Sequence, residues 1–246
     1  RVLYLHPRLA AIWCNCDASR RRLVALGVPP QKLHTIYFGH PVQQRSDSPR
    51  AEVRLELGIP TGAVVVGFAG NMRRVKGVDV LLEAALKLKN TADLHWILAG
   101  RVEDRRVNRL LDDPQLRGRV HSLGWRDDAD RVMQAFDIFA MPSRSEGFSR
   151  AIIEAMELGL CPVATNVGGT PEMVRDGQDG LIVPPDDVDV LVTAIAQLVG
   201  DAALRQQLAT SARRRIEETF TIDRMVTQAI ALYESLQSAP KISAAA

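Results

Sequence analysis

The sequence predicts an α/β fold: a doubly wound, Rossmann-like parallel sheet followed by C-terminal helices. Three observations carry that expectation. Between residues 63 and 184, short apolar runs alternate with helical patterns. The runs are β-rich and apolar throughout, which suits strands buried on both faces of a parallel sheet. After residue 186 the pattern becomes wholly helical. Strand, helix and strand repeated this often reads as a doubly wound domain, whose ligands sit outside the carboxyl ends of the strands.

The opening differs. Residues 11–16 (AIWCNC) read as a strand, 19–26 as a helix and 33–38 as a strand. Cys14 and Cys16 would alternate on that first strand and face opposite ways. Residues 41–50 (PVQQRSDSPR) are polar and proline-bearing and read as a linker. Residues 1–40 therefore form one unit, too small to hold a core alone, and a second unit begins after the linker. Its strands are expected at 63–69 (AVVVGFA), 94–99 (LHWILA), 120–123, 137–142 (DIFAMP), 162–165 and 181–183. Val78, Leu81, Leu82, Ala85 and Leu86 follow the i, i+3, i+4 spacing of an amphipathic helix. Further helices are expected at 103–112, 127–135, 149–159, from 188 to 199, at 203–218 and at 222–236, before a frayed tail at 238–246.

Composition narrows the functional classes. Lys and Arg number 31 against 29 Asp and Glu, a formal charge of +2. That is too small to require nucleic acid or a membrane as partner. The arginine runs at 20–22 and 213–215 read as solvated helix faces, with a phosphate or acidic-lipid contact as the alternative. The three cysteines form no disulfide framework or zinc pattern and read as reduced, buried thiols. No apolar run has the length of a membrane helix, and no signal peptide opens the chain. Arg1 rather than Met stands first, as in a fragment or processed form.

The chemistry concentrates in residues 143–169 (SRSEGFSRAIIEAMELGLCPVATNVGG). Glu146 ends a strand-to-helix loop, Gly147 permits close backbone approach, and Ser149 is a candidate N-cap. A helix opening there turns free N–H groups and a positive dipole end toward the cleft, which suits a phosphate. Glu154, in the first or second turn, could accept hydrogen bonds from vicinal ribose hydroxyls. The competing reading has both glutamates as surface acids near a helix N-terminus. A second cluster follows the first strand of the large unit: Gly70, Asn71, Met72, Arg73, Arg74, Val75, Lys76 and Gly77. It is no Walker loop, because the lysine precedes the glycine. Its cations could neutralise a leaving diphosphate, or form a solvated basic turn. The aspartate pairs Asp128/Asp130 and Asp187/Asp189 open expected helices and read as caps, so no metal is expected. Trp125 reads as a core or rim aromatic rather than a nucleobase neighbour. The five histidines have no ligand spacing and none is singled out.

Residues 142–148 (PSRSEGF), followed by Glu154, Ala155, Met156 and Gly159, resemble the signature of the large retaining glycosyltransferase family 4. Lys76-Gly77, Gly168-Gly169, Pro171-Glu172 and residues 179–181 extend the resemblance. The family has the GT-B architecture, two Rossmann-like domains with the donor held mainly by the C-terminal one. The resemblance implies an acceptor-side remnant at 1–40, a linker at 41–50, a nucleotide-sugar-binding domain at 51–220, and a crossover helix with tail at 221–246. It implies that Glu146 contacts the donor sugar, Glu154 the ribose, and the amides of Gly147, Phe148 and Ser149 the diphosphate. Lys76 matches the family's phosphate-binding lysine. The family's arginine directly after the glycine is replaced here by Asn71 beside Gly70; Arg73 is the chosen substitute, with Arg74 second.

The implied reaction is metal-independent transfer of a sugar, hexosyltransferase-like, from a nucleoside diphosphate sugar to an acceptor hydroxyl, with retention, in glycan biosynthesis. Lys76, Arg73 and Glu146 would carry the chemistry, with the nucleotide-sugar as donor substrate and no cofactor. The chain would need a missing N-terminal domain or partner chain and be inactive alone. A non-catalytic nucleotide-sugar-binding module or partner subunit is the alternative. A nucleotide-sugar epimerase is disfavoured by Glu146 to Glu154 together with Lys76. The expected place is cytoplasmic, alternatively peripheral at the inner membrane face.

Overall fold

The computed structural model describes residues 3–6, 9–41 and 47–238. A first βαβ unit comprises β1 (Ile12–Cys14), α1 (Asp17–Ala25) and β2 (Leu33–Thr35). Helix α2 (Asp47–Glu56) leads into β3 (Val64–Ala69), α3 (Val78–Lys87), β4 (Leu94–Ala99), α4 (Arg105–Leu111), β5 (Val120–Ser122) and α5 (Ala129–Met133). There follow β6 (Ile138–Met141), α6 (Arg150–Glu157), β7 (Cys161–Thr165), α7 (Thr170–Met173) and β8 (Leu181–Val183). Helices α8 (Val188–Gly200), α9 (Ala202–Thr219) and α10 (Ile222–Ser238) complete the described chain.

The expected doubly wound α/β sheet is present. Its strand order is β5-β4-β3-β6-β7-β8, and every neighbouring pair is parallel. Every residue of β4, β6 and β7 is buried, while edge strands β5 and β8 are half-buried. This is why the central strands read as unbroken apolar runs. Helix α3 packs with α4 and α8, and α6 packs with α9. The chain enters at the centre with β3, winds outward to β5, returns to β6 beside β3 and winds the other way. The strand order thus reverses between β3 and β6, and in open α/β sheets a reversal of this kind forms a crevice at the carboxyl ends of the two strands.

Three local expectations are corrected. The first strand stops at Cys14, so Cys14 and Cys16 do not alternate along it. Cys16 instead N-caps α1, its sulfur accepting from the Ser19 amide, and both thiols are buried. The second strand stops at Thr35, releasing Tyr37 and Phe38 to pack around Phe148. Helix α2 begins at Asp47, inside the stretch read as a linker. Residues 42–46 of that stretch and 239–246 of the tail lie outside the described residues.

Buried arginine fixes α2. The Arg54 side chain is 4% exposed and donates to the carbonyls of Ala63 and Ala135 and to Asp137. Asp137 also accepts from Arg50 and from the Val65 amide. Burial would raise the Asp137 carboxyl, but the two guanidiniums and the amide hold it below its ordinary value.

The βαβ unit has a small cluster of its own, Cys14, Val28 and Leu33, whereas Cys16 belongs to the main core. It docks through one carboxylate. Glu172 accepts from the amides of Asp17 and Ala18, both at 2.7 Å, and from the Tyr37 hydroxyl at 2.9 Å. A carboxylate at a helix N-terminus satisfies orphan donors and complements the dipole. On α10, Ile222, Val226, Ile230 and Tyr233 are exposed, while Met225, Ala229, Leu232 and Leu236 are half-buried. Among the described residues no helix is long and apolar enough to cross a membrane.

Replacing Arg54 by Ala leaves Asp137 and two buried carbonyls short of a donor and is expected to destabilise the fold by about 3–5 kcal/mol in denaturant titration. Because the folded-state pKa of Asp137 is depressed, its contribution is full above the unfolded value of about 3.9 and is lost as pH falls through the folded value. Asp137→Asn should therefore lower stability at neutral pH and flatten the acid limb of the stability curve; an unchanged acid limb would contradict the assignment.

Candidate functional site

The crevice is walled by the loops that follow β3 and β6. After β3 the chain passes Gly70 in a left-handed conformation and Asn71, then buries Met72 against the loop after β4. A single 3-10 turn, Arg74–Lys76, presents Lys76, and Gly77 (φ +66°) ends it. A Cβ on Gly77 would lie 1.9 Å from the Pro142 carbonyl oxygen, so glycine lets this loop touch the loop after β6. The reverse side is just as close: a Cβ on Gly168 (φ +54°) would meet the Glu146 carbonyl oxygen at 1.7 Å.

This packing brings Lys76 and Glu146 together across 70 residues of sequence, with Nζ 2.6 Å from Oε1. The Ser143 hydroxyl donates to the same Oε1 at 2.7 Å. Both bonds fall on Oε1, and among the described residues no hydrogen bond falls on Oε2. The Glu146 side chain is 9% exposed, which strengthens its ion pair with Lys76. Arg144, which carries no signal of its own in the sequence, anchors the loop. It donates to both oxygens of buried Asp79 and to Asp186, and its own amide bonds the Val75 carbonyl. Burial works to raise the Asp79 carboxyl, yet hydrogen bonds from Arg144 bring it below its ordinary value.

Ser149 occupies the N-cap position of α6, as expected, but its side chain makes no capping bond. The amides of Gly147, Phe148 and Ser149 find no acceptor in the hydrogen bonds of the described residues. The Gly147 carbonyl is used instead, accepting from the Gly169 amide and the Cys16 thiol. Three donors at a helix start, with Lys76 nearby, can hold an anion.

Glu154 lies elsewhere. It lines a cavity of about 620 Å³ with Trp13, Phe38, His40, Phe148 and Glu157, and neither Glu146 nor Lys76 lines that cavity. Burial raises its carboxyl above the ordinary value, with Arg150 and His40 opposing. His40, which has no spacing signal in the sequence, bonds Glu157 at 2.7 Å. Arg73 and Arg74 are both exposed. Arg74 lines a separate, strongly charged hollow with Asp79, Arg105, Arg106 and Arg109, so the structure brings it to the back of the loop and not to Glu146.

Trp125 is a rim aromatic, 59% exposed, with the Arg101 guanidinium 5.7 Å from its ring centre. Asp187 caps α8 by accepting from the Val190 amide. Asp128, also at an N-cap position, makes no such bond, and its carboxylate pairs with Arg126 instead. Among the described residues no three His, Cys, Asp or Glu side chains cluster as a metal site would require. Tyr37, pushed up to about 12 by burial and by its bond to Glu172, stays a neutral donor.

Known proteins resemble this chain in sequence and in fold. The profile of the family described as glycosyl transferases group 1 matches residues 63–201. A D-inositol 3-phosphate glycosyltransferase of Jonesia denitrificans is 30% identical over 95% of this chain and 59% of its own length. The lipopolysaccharide core biosynthesis glycosyltransferase LpsE of Rhizobium meliloti is 34% identical over 63% of this chain and 45% of its own. The chain thus spans about half the length of these curated relatives. Anabaena HepE, crystallised in complex with UDP-glucose, superposes with a TM-score of 0.82 at 27% identity, covering 94% of this chain and 64% of HepE. WaaG, a glycosyltransferase of lipopolysaccharide biosynthesis, shares the fold at a TM-score of 0.77 and 19% identity, over 89% of this chain and 61% of its own. With the profile covering more than half of its residues and the crevice loops lying inside the matched segment, the chain belongs to the glycosyl transferases group 1 family.

Proposed function

We propose that this chain is the donor-binding half of a retaining glycosyltransferase that moves a sugar from a nucleoside diphosphate sugar to an acceptor hydroxyl. The observation that carries this is the Lys76–Glu146 pair at the strand-order reversal, beside the unpaired amides of Gly147, Phe148 and Ser149. A diphosphate on those amides places its negative charge near Lys76, which stabilises the charge that develops as the sugar–phosphate bond breaks. Glu146, steered by Ser143 and Lys76, keeps Oε2 for a sugar hydroxyl. Glu154 accepts from the ribose. Arg73, exposed at the start of the 3-10 turn, can swing toward the diphosphate, whereas Arg74 is directed to the hollow beside Asp79. Complexes of the neighbour HepE with UDP and with UDP-glucose support this choice of donor class. Lys76 and the α6 start take the place of a metal. We place its site of action in the cytoplasm, with the inner membrane face as the alternative.

The division of labour predicts that Glu154→Ala weakens UDP binding more than Glu146→Ala. Loss of charge-assisted hydrogen bonds should cost roughly 1.5–3 kcal/mol in calorimetry. Negligible effects from both substitutions would end the assignment. UDP affinity should also be the same in excess chelator and in added magnesium or manganese; a chelator-sensitive affinity restored by either ion would point to a metal site instead.

A cleft between two domains is needed to position an acceptor, and this chain supplies one wall. The exposed stripe of Ile222, Val226, Ile230 and Tyr233 on α10 is a surface for the other domain. The 246-residue chain should therefore bind UDP but neither transfer nor hydrolyse UDP-sugar, and a form extended at the N-terminus should gain turnover. Full turnover by the 246-residue chain would refute the half-enzyme proposal.

A further inference from the structure

We propose that His40 is a positioning residue for Glu154, clamped by Glu157 and by the junction of α9 and α10. This rests on the assignment of Glu154 to the donor ribose. Three sets of contacts fix the ring. First, the backbone is pinned: the His40 amide donates to the Phe220 carbonyl at 2.8 Å, and His40 and Thr221 form a parallel bridge. A Cβ on the preceding Gly39 would lie 2.4 Å from the Thr221 carbonyl oxygen, so the chain here is pressed against the junction. Second, the Nδ1 edge is held by Glu157, whose side chain is 3% exposed, at 2.7 Å, and lies 3.0 Å from the Pro41 carbonyl. Third, this orientation turns Nε2 toward Glu154, 3.9 Å from its Oε1.

The consequence is electrostatic. Glu154 must be ionised to accept two ribose hydroxyls, and burial among Phe148, Ile153 and Trp13 works against that. Its other cation, Arg150, is 77% exposed and 3.4 Å away, so solvent screens it. His40 is the shielded one, 15% exposed. The charged groups around it are Glu154, Glu157 and Arg150 from α6 and Asp130 from α5 across the cavity; the α9–α10 junction contributes backbone and Met225. A cationic imidazole at this place stands between two carboxylates and opposes the effect of burial on the Glu154 carboxyl. Because His40 belongs to the segment joining the βαβ unit to the main domain, Glu154 is also tied to the placement of that unit.

The test is UDP affinity by calorimetry at about pH 6 and about pH 8, the range in which histidine changes charge. It uses the 246-residue chain and the variants His40→Gln, Glu157→Gln and Glu154→Gln. Ionisation of the UDP phosphate is common to all four proteins and cancels in the comparison. At about pH 8 the His40→Gln protein should bind UDP nearly as the parent does. At about pH 6 it should show a loss of UDP affinity relative to the parent. Glu157→Gln should move the acid limb in the same direction, and Glu154→Gln should weaken binding at both values. If His40→Gln runs parallel to the parent at both values while Glu154→Gln weakens binding, the positioning role is overturned and the ribose assignment stands. If Glu154→Gln has no effect at either value, both fall. A thermal melt on each variant separates loss of the fold from loss of the limb.

Discussion

Three loops from three different strands share one small volume at the centre of the sheet, and the rest of the site depends on that backbone contact. Gly77 lies against the Pro142 carbonyl, Gly168 against the Glu146 carbonyl, and Gly169 against the Gly147 carbonyl and Cys16. Each contact is too close for any side chain, and two of the three glycines take a left-handed φ that a Cβ disfavours. Because the backbones touch, the loops behave as one rigid block. Lys76, Ser143 and Glu146 then hold their mutual distances without ligand, which is the condition for binding charge without reorganisation.

Electrostatic order radiates from this block. Four buried or half-buried acids have a guanidinium or ammonium partner: Glu146 has Lys76, Asp79 has Arg144, Asp137 has Arg54, and Asp179 has Arg175 and Arg215. Buried charge is tolerable only when paired and hydrogen-bonded, so these pairs fix loop positions as much as they add stability. Arg144 and Arg54 act at opposite ends of the sheet. The first ties the loop after β6 to α3, and the second closes the floor beneath β3 and β6 with α2.

The βαβ unit is joined to the site by directed polar bonds and by an aromatic cluster, with Cys16 entering the main core. Glu172 gathers the α1 amides and Tyr37, while Tyr37 and Phe38 pack against Phe148 at the start of α6. The same segment carries His40 to Glu157, so its placement is felt inside the cavity that Glu154 lines.

The sequence by itself determined the strands, most of the helices and the doubly wound class. Those signals are local: a run such as 94–99 must be apolar throughout because both faces of β4 are covered. Glu146 and Lys76 were singled out by the resemblance of their loops to glycosyltransferase family 4, whereas the residues alone also allowed surface acids and a solvated basic turn. Only the tertiary structure decided what lies between distant residues. Helix α2 was hidden because its stability comes from Arg54 reaching carbonyls up to 81 residues away, not from its own polar composition. The extended reading of Tyr37 and Phe38 failed because they leave the sheet for an aromatic cluster that no neighbour in sequence announces. His40 carries no spacing signal at all. Its partners Glu154 and Glu157 are brought to it by the fold, and a lone histidine acquires a role only when burial and a carboxylate surround it. Arg73 and Arg74 are adjacent and chemically identical, and the turn after them directs Arg74 to the hollow beside Asp79. Composition and periodicity record which surfaces must be buried; which charges meet is set by loop geometry, and that is a property of the whole fold.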